Sequence, residues 1–391
     1  MIKVLQVLEA TCYGTGLHVT DLVKRIDKNA FDVSFVYSTE RADTRFRQEL
    51  HCLATSAQID LCEIPMKRTL SISDISAVFS IYQYLRKNGP FDIVHLHSGK
   101  AGLLGRLACM MGPRWCKAVV YTPNAGLHNV GALPALVERA LSRVTDVTIA
   151  VSQSEFRDLT ESGVSAITRT TVIESGVDVN HYSHSDAADT QCVRSRLALA
   201  PGVLVVGSVG RLAPQKQPLD FVKLACSVKN RIDNVHFVWV GDGELRPEFE
   251  RLAKTRGLKD SVTCVGEVTD VRPYLAAMDV FCLLSKYESF GYVTVEAMLQ
   301  RKPVVATSVS GTMDIVRNGI NGYLVRVGDI EAMTQRICEL LESLSLRVRL
   351  GQAGYTLAKD RFSVNTMVAK TEHMYRLLVR DVGIAEKDDP A

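Results

Sequence analysis

Short apolar runs alternate with stretches of helical periodicity along nearly the whole chain, and the pattern starts afresh near its middle. In the first half the apolar runs fall at 2–8, 33–37, 93–96, 118–121, 147–151 and 171–173, with helical stretches at 73–86, 102–111 and 133–143 among them. Runs that are apolar throughout belong to strands buried on both faces, and strands separated by helices pair in parallel. The sequence therefore predicts an α/β architecture of parallel sheets covered on both sides by helices. A second series opens at 203–209 and continues through 237–240, 262–264, 280–284, 303–306 and 322–325. Each series begins with an apolar run that enters a glycine-containing turn, Gly14-Thr15-Gly16 in the first and Gly207-Ser208-Val209-Gly210 in the second. Residues 178–190 are polar and poor in periodicity, which marks a boundary. With 391 residues there is material for two domains. We expect them over 1–178 and 179–365, with a last helix and charged tail over 366–391.

Charge excludes one class of function. The net charge is +3, and residues 1–178 carry 19 Lys and Arg against 18 Asp and Glu, so neither half offers the basic stripe that duplex nucleic acid requires. Ten cysteines occur without a Cys-x-x-Cys pair, several in apolar runs such as Val280-Phe281-Cys282-Leu283-Leu284. They read as reduced and mostly buried thiols. The first run contains Lys3 and Gln6 and has no basic segment or small-residue cleavage site, so it reads as a strand and not a signal peptide. No apolar run reaches ~18 residues, the length of a membrane span. A cytoplasmic protein is expected.

The strongest local pattern is Ser285-Lys286-Tyr287-Glu288-Ser289-Phe290-Gly291-Tyr292-Val293-Thr294-Val295-Glu296. An apolar strand ends there and a helix starts near Gly291. Ligands of open parallel sheets bind beyond the carboxyl ends of strands, where helix N-termini present free amides to anions. The amides around Phe290, Gly291 and Tyr292 suit a phosphate. Glu288 precedes the helix and Glu296 lies inside it, so one carboxylate can meet sugar hydroxyls and the other ribose hydroxyls. Taken singly, such glutamates are more often a helix-dipole partner and a solvated surface residue. Gly210-Arg211-Leu212-Ala213-Pro214-Gln215-Lys216 follows the first strand of the second series. Its glycine permits close backbone approach, and its two cations, a planar fork and a point charge, can neutralise a diphosphate.

These segments together resemble the retaining family-4 glycosyltransferases of the GT-B fold, of bacterial surface-polysaccharide type. Val240-Gly241-Asp242-Gly243, Ala277-Met278-Asp279-Val280-Phe281, Lys302-Pro303-Val304-Val305-Ala306 and Asn321-Gly322-Tyr323-Leu324-Val325 carry the resemblance through the second half in the usual order. It implies two Rossmann-like domains facing across a cleft, the C-terminal one holding a UDP- or GDP-sugar, with a final helix packing back on the N-terminal domain. Arg211 and Lys216 would neutralise the departing diphosphate. Glu296 would hold the ribose and Glu288 the transferred sugar, while Gly210 and Gly241 would line the donor site. No cofactor and no divalent metal are expected, and attack would come from the front face without an enzyme nucleophile. The implied acceptor is a glycan or a polyprenyl-diphosphate-linked sugar, in capsule, exopolysaccharide or O-antigen assembly. A nucleotide-sugar 2-epimerase and a non-catalytic sugar-nucleotide-binding partner of another transferase are the alternatives.

In the first half, Tyr13-Gly14-Thr15-Gly16-Leu17-His18-Val19 opens a helix and resembles the family's Gly-Gly…His-Val turn, with the first glycine offset. Gly14 and Gly16 would approach the donor phosphate and His18 the acceptor; a plain strand-to-helix turn reads equally well. It is no dinucleotide fingerprint, because position 19 is Val; Gly241-Asp242-Gly243 fails likewise at Arg246, and no Walker A sequence occurs. His95-Leu96-His97 ends a strand with both histidines on one face. A metal pair is one reading; His97 lining the cleft over a packed His95 is the preferred one. Lys100, in Ser98-Gly99-Lys100-Ala101-Gly102, would face the acceptor or simply be solvated. Asn124 stands where many family members carry histidine; it can bond a sugar hydroxyl but cannot exchange a proton near neutral pH. Ser175 replaces the usual asparagine of Ser175-Gly176-Val177-Asp178, and Asp314 stands where glutamate is common. Met110-Met111-Gly112-Pro113-Arg114-Trp115-Cys116-Lys117 mixes apolar side chains with cations and reads either as a helix end or as a bilayer contact at the inner membrane face.

Overall fold

The computed structural model describes residues 1–55, 59–112, 115–124 and 132–385. The chain forms two compact units, Met1–Gly176 with Val364–Ala391, and Val177–Ser363. Both divisions fall two residues before those drawn from the sequence.

The first unit carries seven strands: β1 (Ile2–Leu8), β2 (Phe31–Tyr37), β3 (Asp60–Glu63), β4 (Phe91–His97), β5 (Cys116–Thr122), β6 (Val147–Ala150) and β7 (Thr170–Val172). They lie in the order β3-β2-β1-β4-β5-β6-β7, every pair parallel. Successive residues of a strand face opposite ways. Val4, Leu8, Ile93 and Val120 accordingly pack on one side of the sheet, and Leu5, Val7, Val94, Leu96 and Val119 on the other. The helix Val364–Ala385 closes the first side, burying Val364, Met367, Val368 and Tyr375. It returns the end of the chain to the unit that contains its beginning.

The second unit has six parallel strands: β8 (Leu204–Val209), β9 (Val235–Val240), β10 (Val262–Gly266), β11 (Val280–Leu283), β12 (Val304–Thr307) and β13 (Gly322–Val325). Their order is β10-β9-β8-β11-β12-β13. One side is packed around Phe221, whose ring meets Trp239 edge-on with centroids 5.2 Å apart.

One expectation, on the cysteines, needs correcting; the polar stretch around 178–190, for its part, holds the helices Val179–Ser183 and Ala187–Arg196. Neither has a strong apolar stripe, but Asp178 and Asp186 each accept a backbone N–H as N-caps, and that signal was present in the sequence. The cysteines are all free, yet only Cys116, Cys282 and Cys338 are buried, while Cys52 and Cys192 are exposed. Apolar neighbours in sequence do not fix burial for the residue at a strand's edge or on a helix's outer face. Among the described residues no helix is long and apolar enough to cross a membrane.

Candidate functional site

In the second unit the strand order reverses between β8 and β11, the place where open α/β sheets bind ligands. The chain leaves β8 through Gly210 and Arg211 and leaves β11 through Ser285 to Gly291, so the two strongest sequence motifs meet here. Gly210 and Gly241 are packed backbone to backbone. A Cβ on Gly241, at φ 130°, would lie 2.2 Å from the Gly210 carbonyl oxygen, so no other residue fits. Trp239 Nε1 donates to that oxygen at 2.8 Å and locks the turn.

Both cations of the Gly-Arg-Leu…Lys segment are engaged. Lys216 Nζ contacts Glu288 Oε1, which also accepts the Ser285 hydroxyl at 2.6 Å. Lys216 and Glu288 are thus one unit, drawn together across 72 residues of sequence. Gln215 fastens the two loops: its amide donates to the Tyr287 carbonyl at 2.9 Å, and its own carbonyl accepts from the Lys286 amide at 2.8 Å. Arg211 is gripped by Glu244 through bonds of 2.9–3.2 Å. Glu244 went unnoticed in the sequence, since nothing local marks a carboxylate 33 residues away as the arginine's partner.

Gly291 has φ 95° and ψ 56° and forms the N-cap of the helix Tyr292–Leu299. The left-handed residue turns the chain into the helix, whose first amides lack intrahelical partners. Phe290 is buried against Phe362, with ring centroids 5.4 Å apart. Gly311 lies so close that a Cβ there would sit 2.6 Å from the Phe290 amide nitrogen, and its own amide donates to the Glu288 carbonyl at 2.9 Å. Gly311 is a further missed contributor to the loop. Glu296 is 4% exposed, which removes its solvated reading, and Glu288 is 8% exposed.

In the first unit the sequence-predicted residues gather at the carboxyl ends of β1, β4 and β5. Gly14 and Gly16 lie in the first turn of the helix Tyr13–Arg25, and a Cβ on Gly16 would approach the Thr11 carbonyl carbon to 3.1 Å. His18 is buried, and its Nδ1 lies 3.3 Å from the Ser175 hydroxyl. Burial pushes the His18 pKa down to about 4. His97 is fully buried, its ring 3.9 Å from that of His95, and Nε2 lies 2.7 Å from Gln6 Oε1. Among the described residues no group of His, Cys, Asp and Glu is arranged to hold a metal ion. Lys100 is neither solvated nor free: it contacts Asp74 and donates to the Thr69 carbonyl at 3.1 Å. Asn124 takes a positive φ of 54°. Ala125, Gly126, Pro113 and Arg114 lie outside the described residues.

Comparison with known proteins agrees with this layout. The pattern of Glycosyltransferase Family 4 matches residues 13–181, and that of Glycosyl transferases group 1 matches residues 191–357. The Escherichia coli UDP-Gal:alpha-D-GlcNAc-diphosphoundecaprenol alpha-1,3-galactosyltransferase is 28% identical over 71% of this chain and 73% of its own length. The D-inositol 3-phosphate glycosyltransferase of Xylanimonas cellulosilytica is 30% identical over 74% of this chain and 73% of its own. The Anabaena protein HepE, crystallised with UDP and glucose, superposes with a TM-score of 0.82 at 24% identity, covering 96% of this chain and 99% of HepE; the likeness is one of fold, GT-B. The chain belongs to the family-4 glycosyltransferases.

Proposed function

We propose that this glycosyltransferase moves a sugar from a UDP- or GDP-sugar to a glycan or polyprenyl-diphosphate-linked acceptor, with retention at the anomeric carbon and without a divalent metal. The observation that carries the donor assignment is the Lys216–Glu288 pair beside Arg211–Glu244 at the β8/β11 reversal, with the N-terminus of the helix Tyr292–Leu299 adjoining. In free protein the carboxylates hold both cations in place. When a nucleotide diphosphate binds, its oxygens compete for Lys216 and Arg211, and Glu288 becomes available to sugar hydroxyls. The bond from the anomeric carbon to the diphosphate oxygen breaks and its electron pair leaves with the diphosphate. Fixed cations and amides stabilise that developing charge without reorganising. The acceptor hydroxyl attacks from the same face, and its proton passes to the leaving oxygen. Glu296, buried in the helix, is the expected partner of the ribose hydroxyls. His18, buried with a pKa near 4, is a hydrogen-bonding group and a weak base at neutral pH.

A lipid-linked acceptor at the inner membrane face is supported by two features. The named Escherichia coli relative acts on a diphosphoundecaprenol-linked sugar. The helix Ser73–Asn88 turns Ala77, Ile81 and Leu85 inward, while Ile75 and Phe79 on its outer side, and Ile72 just before it, are exposed. Leu107, Met110 and Met111 are exposed on and beside the neighbouring helix Gly99–Met110. A helix apolar on both faces needs a second apolar surface, and Lys67, Arg68, Arg86 and Lys87 stand exposed at its two ends, as for an anionic bilayer. The test is product analysis. EDTA-treated protein, a panel of UDP- and GDP-sugars of known anomeric configuration, and a short polyprenyl-diphosphate-linked N-acetylglucosamine are incubated, and the product linkage is read by NMR. An α-linked product from an α-donor is expected; an inverted linkage, or activity that needs added metal, overturns this reading.

A further inference from the structure

The two oxygens of the Glu288 carboxylate are held unequally. Oε1 accepts the Ser285 hydroxyl at 2.6 Å and meets Lys216 Nζ, whereas Oε2 has no bond among the described residues. The side chain is nine-tenths buried, yet Oε2 is not sealed from the surface, so this oxygen is the part of the carboxylate open to a ligand. Rotation about the last side-chain bond would exchange the two oxygens unless one were pinned. Ser285 is the pin that belongs to the same turn.

Ser285 is itself fixed. It is fully buried just beyond β11, and its carbonyl accepts the Thr307 hydroxyl at 2.6 Å. Thr307 ends β12, and its own carbonyl accepts the hydroxyl of Thr312, from the helix Ser310–Ile315. The Gly311 amide of that helix donates to the Glu288 carbonyl at 2.9 Å. The segment after β12 thus grips the 285–288 turn at both ends. Each hydroxyl carries one hydrogen, and carbonyls and carboxylates only accept. The hydrogen of Thr307 therefore goes to Ser285, and that of Ser285 goes to Glu288. This arrangement matters when Lys216 changes partner. Once a diphosphate draws the ammonium away, Ser285 is the one donor left to the carboxylate among the described residues. A carboxylate buried so deeply without any donor is costly. The serine lets the lysine leave without freeing the carboxylate to turn.

We propose that Ser285 is a positioning residue for the donor sugar: backed by Thr307, its hydroxyl keeps Glu288 Oε1 turned inward and Oε2 presented to a hydroxyl of the transferred sugar. This rests on the donor-site reading above, in which Glu288 meets the sugar and Lys216 the diphosphate. A fixed acceptor atom selects a hydroxyl at one place on the sugar, and so favours the sugar conjugate over the bare nucleotide.

Calorimetry in EDTA with UDP, UDP-glucose, UDP-galactose, UDP-N-acetylglucosamine, GDP and GDP-mannose first identifies the conjugate that the wild type binds. Ser285→Ala should weaken that conjugate about tenfold, the loss of one hydrogen bond to a charged group. The bare nucleotide should lose less, because water reaches the carboxylate where no sugar covers it. Thr307→Val, close in shape but without the hydroxyl, should give a smaller loss of the same kind, and Thr307→Ser should restore the wild-type ratio. The decisive comparison is made in a Glu288→Ala background, where Ser285→Ala should add no further loss. Equal losses for conjugate and bare nucleotide, or an undiminished effect of Ser285→Ala in that background, would mean that the serine serves only the loop. Either result overturns the proposal and leaves the donor site standing. A folded wild type that binds none of these ligands would remove the donor reading and the proposal with it.

Discussion

Lowering the pH should destabilise the first unit through its buried histidines, by an amount that His18 allows to be worked out. In the unfolded chain His18 takes its ordinary pKa near 6.5; in the folded unit burial lowers it to about 4. Between those values the unfolded chain binds a proton that the folded chain refuses, so stability falls as the pH drops through about 6.5 toward 4. From pH 7 to pH 5 the linkage amounts to about 2 kcal/mol for His18 alone. His95 and His97 act in the same direction for the same reason. The two tryptophans make the measurement clean, since Trp115 lies in the first unit and Trp239 in the second. Urea unfolding of a Trp239→Phe background, followed by Trp115 fluorescence, isolates the first unit. The same protein carrying His18→Gln, which cannot titrate, should lose about 2 kcal/mol less between pH 7 and pH 5. Equal losses would refute the claim that burial keeps His18 neutral.

Other expectations follow from single contacts. Gly241→Ala should abolish donor binding, because its Cβ would meet the Gly210 carbonyl oxygen at 2.2 Å; nucleotide affinity by calorimetry, alongside a folded circular dichroism spectrum, checks it. Ile75→Glu with Phe79→Glu should leave turnover of water-soluble acceptors unchanged and remove co-sedimentation with vesicles containing anionic lipid; retained co-sedimentation would exclude that face. Arg211→Ala or Lys216→Ala should cost roughly 2–4 kcal/mol of transition-state stabilisation, read mainly in kcat. An unchanged rate in either variant removes that cation from the site.

How far the sequence reached depends on whether the signal was local. Strands such as β4 and β5 are buried on both faces, so their apolar runs stood out and the parallel sheets could be read directly. The Glu288 and Arg211 segments were equally legible, because a strand, a glycine and a helix start occupy a dozen consecutive residues. What stayed hidden depends on closure of the chain. Glu244 against Arg211, Gly311 against Phe290, Ser175 against His18 and Tyr375 against Gln6 are meetings that no periodicity announces. Lys100, which the sequence leaves either facing the acceptor or solvated, meets Asp74 on the adjacent helix, a contact that no local pattern announces.

The most direct measurement of the central claim is donor binding in the absence of metal. Thermal unfolding is followed with UDP, GDP, ADP and their sugar conjugates in EDTA, for the wild type and for Glu296→Gln and Lys216→Ala. Ligand at ~100 times its Kd should stabilise the wild type by about 2.7 kcal/mol. One base should give that shift without metal, and both variants should reduce it. A folded wild type that responds to no nucleotide, or responds only when a divalent metal is restored, would contradict the account.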